Sequence, residues 1–246
     1  MALLKSTGNK KVNLDFNKEF INTFSDNIKN RNIDYINQTL KDLHEADIAN
    51  LIENLNPDTR TKLIEIESFN VEPEIFIELN ESVQSEVLQL LSIDSLIKII
   101  KRLESDNAIK ILENLSVNTK EQVLEKLPPK DKFLLQEGLS YPEDSAARIM
   151  QREFTAVPSN WTVGQTIDYL REDKDLPEEF LEIFIVDNDF KPIGTVPSSR
   201  VLRSSRDSKM NSIMSEMPVL ISVNMDQEEV GNAFENYNLV SAGVVN

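Results

Sequence analysis

Residues 79–127 read LNESVQSEVLQL-LSIDSLIKIIKR-LESDNAIKILEN-LSVNTKEQVLEK-L, four blocks of twelve residues that each begin with leucine. The same phase extends upstream to Leu55 and Leu43, with Glu67 as the one position out of step. A polar or turn-forming stretch follows most of the phased leucines, and Asn, Ser and Asp there can accept the free N–H groups that open a helix. Each block therefore predicts a short helix of two to three turns with a tight cap.

A second aliphatic residue stands eight positions after each phased leucine, for example Leu51, Val87 and Ile111. Helices this short cannot bury their apolar faces alone, so consecutive units must stack on one another. The first half of the chain is therefore predicted to be an all-α superhelical solenoid. Solenoids of this kind present surfaces to partners, so the repeat favours a binding or regulatory role over catalysis.

The composition excludes several classes of site. Among its 246 residues the chain has no cysteine and a single histidine, which rules out disulfides, thiolate metal sites and zinc centres built from His and Cys. That histidine, His44, lies at a predicted helix start, where a capping or solvated role is expected. The net charge is −16, from 42 acidic and 26 basic residues, so nucleic acid is not an expected partner. Such acidity is either an ordinary soluble surface or a supply of carboxylates for hard cations such as Mg²⁺ or Ca²⁺.

The sequence also argues against a membrane span and against an enzyme. No run of about 18 apolar residues occurs, and the N-terminus lacks the apolar stretch of a secretory signal. Ser/His, Cys/His and Gly-rich phosphate motifs are missing, and six glycines in all leave little from which to build one. We expect a soluble, non-enzymatic polypeptide.

The hydrophobic pattern changes near residue 141, where Gly138 and Pro142 predict the end of the helical part. Beyond this point short β-rich runs alternate with helices, which predicts an α+β fold. The predicted organisation is a lead-in and first helix at 1–29, the solenoid at 30–139, a first α+β unit at 140–210 and an incomplete second unit at 211–246.

The C-terminal part contains an internal repeat, because Ile149-Met150 recurs as Ile213-Met214. Twelve residues after each methionine stands a helix start with capping-box spacing, Thr162 with Gln165 and Asp226 with Glu229. The second copy stops where the first is only reaching its turn at 187–189, so we expect a truncated chain. The elements predicted for the first copy are strands at 154–157, 182–186 and 192–196 and a helix at 162–171.

A tandem β-α-β-β-α unit of this kind resembles a pair of CBS domains. An acidic solenoid directly before such a pair is similar to the cytosolic portion of the MgtE family of Mg²⁺ transporters, over residues 30–246. The runs that carry the likeness are Tyr141-Pro-Glu-Asp-Ser-Ala-Ala-Arg-Ile-Met150, Phe154-Thr-Ala-Val157, Trp161-Thr-Val-Gly164, Asp226-Gln-Glu-Glu-Val230 and Tyr237-Asn-Leu-Val-Ser-Ala242.

The resemblance implies a homodimeric, channel-like Mg²⁺ transporter whose transmembrane domain follows the CBS domains and is absent from this sequence. The chain would then lie on the cytoplasmic side of the cell membrane, where it senses Mg²⁺ and closes the pore when the ion is plentiful. Divalent cations can do this by clamping acidic surfaces that otherwise repel each other. A soluble adaptor that binds a protein partner through its solenoid, under nucleotide control, stays open as the alternative.

Matched to the family's pattern, the metal-binding acids are Glu74 and Asp106 of the solenoid and Asp226 and Glu228 of the second CBS unit. They would hold regulatory Mg²⁺ at weak sites. One family acid falls at Asn238, whose amide oxygen carries no charge. For each acid the simpler interpretation is a helix cap or a solvated side chain.

The resemblance also bears on nucleotides, since CBS pairs often hold adenine nucleotides in the cleft between their units. The ribose is commonly bound by an Asp near the start of each unit's last helix. In the first unit of this chain Arg200 occupies that place. Adenine nucleotide binding is therefore not expected.

Overall fold

The computed structural model describes residues 16–66, 72–177, 179–217 and 219–245. The chain divides into two compact units. The first contains the described residues up to Leu103 together with Lys110–Leu127, and the second contains Glu104–Ile109 together with the chain from Pro128 onward. The predicted segment boundaries at 29, 139 and 210 stay a prediction.

The first 140 residues fold into helices alone within the described ranges, which confirms the predicted solenoid. All seven aliphatic residues that follow the phased leucines by eight positions are buried, from Leu51 to Leu135. The first helix begins at Lys18 and ends at Lys29, within the N-terminal segment predicted at 1–29. The bounds are α1 Lys18–Lys29, α2 Ile33–Lys41, α3 Glu45–Asn54, α4 Pro57–Ile64, α5 Glu74–Glu78, α6 Glu81–Leu90, α7 Ile93–Ile100, α8 Ser105–Glu113, α9 Val117–Lys126 and α10 Pro129–Ser140.

Five of these helices, α3, α4, α6, α7 and α9, are capped by the side chain of the residue that follows a phased leucine. In α4, α6, α7 and α9 its side chain accepts the N–H three positions further on, at 2.9–3.2 Å. The expected capping role of His44 is confirmed, because its Nδ1 accepts the N–H of Ala46 at 3.3 Å. The residues that cap α4, α6, α7 and α9 are Asn56, Asn80, Ser92 and Ser116.

Arg60, in the first unit, caps the C-terminus of α3. Its guanidinium is buried and donates to the carbonyl oxygens of Ile52 at 3.1 Å and Leu55 at 2.9 Å, at the C-terminus of α3. The same group pairs with Glu86 of α6. A buried cation is tolerated there because it meets both a carboxylate and the negative end of a helix.

The C-terminal part contains a four-stranded sheet in the order β1-β2-β3-β4, in which β1 and β2 are parallel and the other pairs are antiparallel. A separate parallel pair joins β5 to β6. The strands are β1 Ala156–Pro158, β2 Glu182–Val186, β3 Pro192–Pro197, β4 Ser215–Glu216, β5 Ile221–Ser222 and β6 Val244–Val245, and the helices are α11 Ala146–Ile149, α12 Val163–Glu172, α13 Ser198–Arg203, α14 Met210–Ile213 and α15 Gln227–Tyr237.

One face of the four-stranded sheet forms the core of this region. Val157, Ile183, Ile185 and Val196 point from the strands into a cluster that also contains Val163 of α12, and each has no exposed surface. Alternating residues of β2 reach this core because successive side chains in a strand face opposite sides. The predicted α+β architecture after the solenoid is confirmed.

Two details differ from the sequence-based expectation. The strand predicted at 154–157 begins at Ala156, although the Thr155 carbonyl still accepts the N–H of Phe184 in β2 at 2.8 Å. The capping box of Thr162 and Gln165 is present in full, whereas Asp226 accepts the N–H of Glu228 at 2.8 Å and so caps one position earlier than a box requires.

Candidate functional site

The four predicted metal-binding acids lie at helix starts. Glu74 is the first residue of α5 and is exposed, in the first compact unit. Asp106 is the second residue of α8 and is half-buried, and Asp226 and Glu228 are exposed at the start of α15, all three in the second unit. That they act together on one cation stays a prediction.

Asp226 and Glu228 line an open cavity of about 550 Å³ at the start of α15. Asp144 enters the same cavity and is held there by Gln227, whose backbone N–H donates to the Asp144 carbonyl at 2.8 Å and whose Nε2 donates to its carboxylate at 3.1 Å. With Glu229, four carboxylates line this cavity, so its potential is strongly negative. It suits hydrated cations and disfavours anions.

A second group of acids surrounds the start of α8. The Glu153 carboxylate accepts hydrogen bonds from the backbone N–H of Ser105 at 3.2 Å and from the Ser105 hydroxyl at 2.8 Å. The backbone N–H of Arg152 donates to the Ser105 hydroxyl at 3.0 Å. Asp106 accepts the N–H of Asn107 at 2.8 Å. Two carboxylates thus serve the first turn of one helix.

These acids disfavour one another's charge. Partial burial raises the pKa of Glu104 above its usual value, and the negative charges of Asp106, Glu153 and Glu179 raise it further, against a hydrogen bond from Gln151 that lowers it. Because neighbouring carboxylates repel, a cation placed among them is favoured.

Asp106 experiences the same environment. Burial is the main cause that raises the pKa of Asp106, and the charge of Glu153 adds to it. The N–H of Asn107 and the charge of Arg152 act in the opposite direction. Asp106 is therefore the predicted site residue whose chemistry is most altered by the fold.

The sequence-based reasoning found Asp106 but missed its neighbours Glu104, Glu153 and Glu179, and it missed Asp144 beside Asp226. One signal was available: Glu104 stands at the position where other blocks of the repeat carry a capping Asn or Ser. The contact of Glu153 with α8 has no local sequence signal, because 48 positions separate it from Ser105.

Arg200 of α13, which the sequence resemblance placed at a ribose-binding position, connects α13 to the end of α14 and to β4. Its Nη1 donates to the Ile213 carbonyl at 2.8 Å and to the Ser215 hydroxyl at 2.9 Å. It also lines a cavity of about 390 Å³ beside α13, together with Ser199 and Arg203. This surface is basic, unlike the two acidic groups.

The described part of the chain holds neither a preformed metal cage nor a membrane span. In ranges 16–66, 72–177, 179–217 and 219–245, no group of three or more His, Cys, Asp or Glu side chains is arranged to hold a metal ion. In the same ranges, no helix combines the length and apolar character that crossing a membrane requires.

Comparison with known protein families matches both parts of the chain. The profile of the MgtE intracellular N domain matches residues 43–144, and that of the CBS domain matches residues 146–207. The chain thus contains an MgtE intracellular N domain followed directly by a CBS domain. The predicted combination of a helical MgtE N domain followed by CBS-type structure is confirmed.

Curated relatives that match this chain are magnesium transporters. The MgtE transporter of Enterococcus faecalis is 24% identical over 110 residues, which is 45% of this chain and 24% of the relative. The MgtE transporter of Thermus thermophilus is 27% identical over 105 residues, which is 43% of this chain and 23% of the relative. The match thus spans about a quarter of the length of these transporters.

Solved structures share the fold over nearly the whole chain. The cytosolic domain of the Mg²⁺ channel MgtE in complex with ATP superposes with a TM-score of 0.81 at 21% identity, covering 92% of both chains. The soluble part of a magnesium transporter gives a TM-score of 0.74 at 19% identity, covering 93% of this chain and 90% of the other. The expectation that adenine nucleotide is unlikely is not supported, because the first of these proteins was solved with ATP.

Proposed function

We propose that this chain is the cytosolic Mg²⁺-sensing regulatory region of an MgtE-family Mg²⁺ transporter or channel, and that it has no enzymatic activity. The observation that carries the proposal is the acidic group at the start of α8, Glu104, Asp106 and Glu153, in a chain built from an MgtE N domain and a CBS domain. The transmembrane domain of the same chain would be its partner, at the cytoplasmic face of the cell membrane.

The chemistry of Mg²⁺ fits such a surface. The ion gives up its water reluctantly and is commonly held by one or two carboxylates and several waters. Glu104 and Asp106 disfavour each other's charge, so a divalent cation near them would remove a repulsion as well as form an attraction. A state that holds the acids close would then be populated more as the concentration of Mg²⁺ rises.

Glu74, Asp226 and Glu228 remain proposed ligands of the same regulatory ions. Their exposure supports weak, water-filled sites rather than a closed cage. Weak sites suit an abundant ion, and several acting together would steepen the response. The acids of the α15 cavity would add Asp144 and Glu229 to this set.

Isothermal titration with MgCl₂ tests the proposal. We expect weak binding that Asp106→Asn and Glu104→Gln both reduce severalfold, because each removes a charged oxygen ligand. Glu121→Gln in α9 is the matched control, an exposed acid outside both groups, and it should bind Mg²⁺ as the unmodified chain does. If Asp106→Asn and Glu104→Gln bind Mg²⁺ like the unmodified chain, the acidic group at α8 is not the sensor.

Small-angle scattering tests the clamp separately. Millimolar Mg²⁺ should contract the particle, whereas KCl at the same ionic strength should not, because only a divalent ion can bridge two carboxylates. An equal radius of gyration in both salts would contradict the clamp.

A homodimer of the full-length protein is part of the proposal, with the helices of the CBS region as the contact. Leu202 of α13 leaves 78% of its surface exposed, and Leu181 leaves 74%. Leu202→Asp should weaken self-association of the full-length protein in sedimentation measurements. Val117→Asp, at an equally exposed position on α9, should have no such effect.

An adenine nucleotide is a second candidate ligand, favoured by the cavity beside α13. Its Arg200 and Arg203 side chains could meet the phosphates, and a protein of the same fold was solved with ATP. Titration with ATP in EDTA should then detect binding that Arg203→Ala weakens. Absence of binding would leave regulation to the cation alone.

A further inference from the structure

The helix α8 breaks the capping rule of its own repeat. In α4, α6, α7 and α9 the residue after the phased leucine is Asn or Ser, and its side chain caps the helix. In α8 that residue is Glu104, whose carbonyl accepts the first helical hydrogen bond, from the N–H of Ala108 at 2.8 Å. Glutamate is not among the side chains that cap helices well.

The missing cap is supplied by Glu153, from a different part of the chain. Its carboxylate takes both the backbone N–H and the hydroxyl of Ser105, at 3.2 and 2.8 Å. Ser105 is 4% exposed, so its N–H would otherwise lie buried without an acceptor, which is costly. Hydrogen bonds to a charged acceptor at a helix N-terminus are stronger than those to a neutral one.

The same contact holds the chain that precedes β1. The Ser105 hydroxyl donates to Glu153 and accepts the backbone N–H of Arg152 at 3.0 Å, so one serine side chain connects two consecutive residues of this segment to α8. Both partners belong to the second compact unit. A local Asn or Ser would cap the helix but would not make the contacts that Arg152 and Glu153 have with Ser105.

We propose that Glu153 is a latch that fixes the first turn of α8 to the segment before β1 in the absence of any cation. Because Glu104 stands where other blocks have a capping Asn or Ser, the first turn of α8 depends on Glu153 for its cap. Opening of this turn and opening of the segment before β1 should therefore be coupled. Because Asp106 lies on the same turn, the latch also sets the position of Asp106 relative to β1. The inference does not rest on the proposed Mg²⁺ sensing.

Amide hydrogen exchange followed by NMR, in EDTA and without divalent ions, tests the latch on the whole chain. Glu153→Ala should speed exchange of both the Ser105 and the Arg152 amides by about fivefold or more, as loss of a charged cap implies. Glu153→Gln, which keeps an acceptor but no charge, should fall between. Unchanged exchange at either amide would overturn the latch, and so would an equal acceleration throughout α12 and β2.

A rescue variant separates a latch from a simple helix cap. Glu104→Asn added to Glu153→Ala restores the cap that the other blocks use. The amides of residues 107–109 should then recover their protection, while the Arg152 amide should stay fast. If the Arg152 amide also recovers, Glu153 is only a helix cap and the latch is refuted.

Ser105→Ala gives a second, milder variant that removes the hydroxyl and keeps the backbone N–H bond to Glu153. It should accelerate exchange at Arg152 far more than exchange at its own amide. Equal acceleration of the two amides would contradict the role assigned to the hydroxyl.

Discussion

Because Gly138 of α10 has no side chain, Ile109 of α8 packs directly against the backbone of α10. Enlarging residue 138 and shortening residue 109, singly and together, tests that contact. A Cβ at position 138 would overlap the Cδ1 of Ile109, with Ile109 Cγ1 and Arg152 Nη2 both at 3.2 Å. Ile109 is 1% exposed, so its side chain has little room to move away. Gly138→Ala should therefore overpack this core.

The expected magnitude follows from two opposing effects. Overpacking a core costs about 1–3 kcal/mol of unfolding free energy. Alanine gains about 1 kcal/mol over glycine inside a helix. Gly138→Ala should thus lose about 1 kcal/mol net. Gly231→Ala in α15, where no atom lies within 4 Å of the added Cβ, should show the helix gain alone.

Ile109→Val removes the Cδ1 atom and should cost about 0.5–1.5 kcal/mol by itself. In the double variant the methyl group added at position 138 occupies the space that Cδ1 has left. The double variant should therefore be more stable than the sum of the single effects, by about 1–2 kcal/mol.

Urea unfolding monitored by fluorescence of Trp161 measures these differences, since the single tryptophan of the chain lies in the same compact unit as both residues. If the two single effects add to within about 0.5 kcal/mol, the residues are independent and the steric argument fails. A Gly138→Ala variant as stable as Gly231→Ala would also refute it.

Three further predictions concern charged residues. Arg60→Met should cost about 2–4 kcal/mol in urea unfolding, because it leaves buried carbonyls and the Glu86 charge unmatched, whereas the exposed Arg102→Ala should cost less than about 0.5 kcal/mol. The pKa of Glu104 in the folded state is raised above its usual value of 4.5, so the ionised carboxylate destabilises the folded state at neutral pH. This loss of stability disappears as the pH falls through the raised pKa toward 4.5, because the carboxyl group is then protonated. Glu104→Gln should thus gain a few tenths of a kcal/mol at pH 7 in thermal unfolding, less at high salt, and a loss of stability would contradict this. Asp106→Asn should change the unfolding free energy by no more than about 0.5 kcal/mol while weakening Mg²⁺ binding in calorimetry, and a larger destabilisation would show that Asp106 is structural.

The repeat and its caps could be predicted from the sequence because they depend on neighbours in the chain. A leucine every twelve residues with Asn or Ser after it determines where Asn80 or Ser92 begins a helix, whatever lies further away. The capping box of Thr162 and Gln165 is likewise completed within one turn. The family resemblance was also based on short runs of sequence, and it was this resemblance that predicted Asp106 as a metal ligand.

The rest was decided by contacts between distant parts of the chain, which no local pattern records. Glu153 was not predicted as a partner of Ser105, since the helix it caps ends 40 residues before it. The start of β1 was predicted two residues too early. The pKa of Glu104 is raised first by partial burial and then by the charges of Asp106, Glu153 and Glu179, and only the fold supplies the burial and brings the last two acids near. Local sequence determined which helices form, and tertiary packing alone decided which carboxylates lie together around the start of α8.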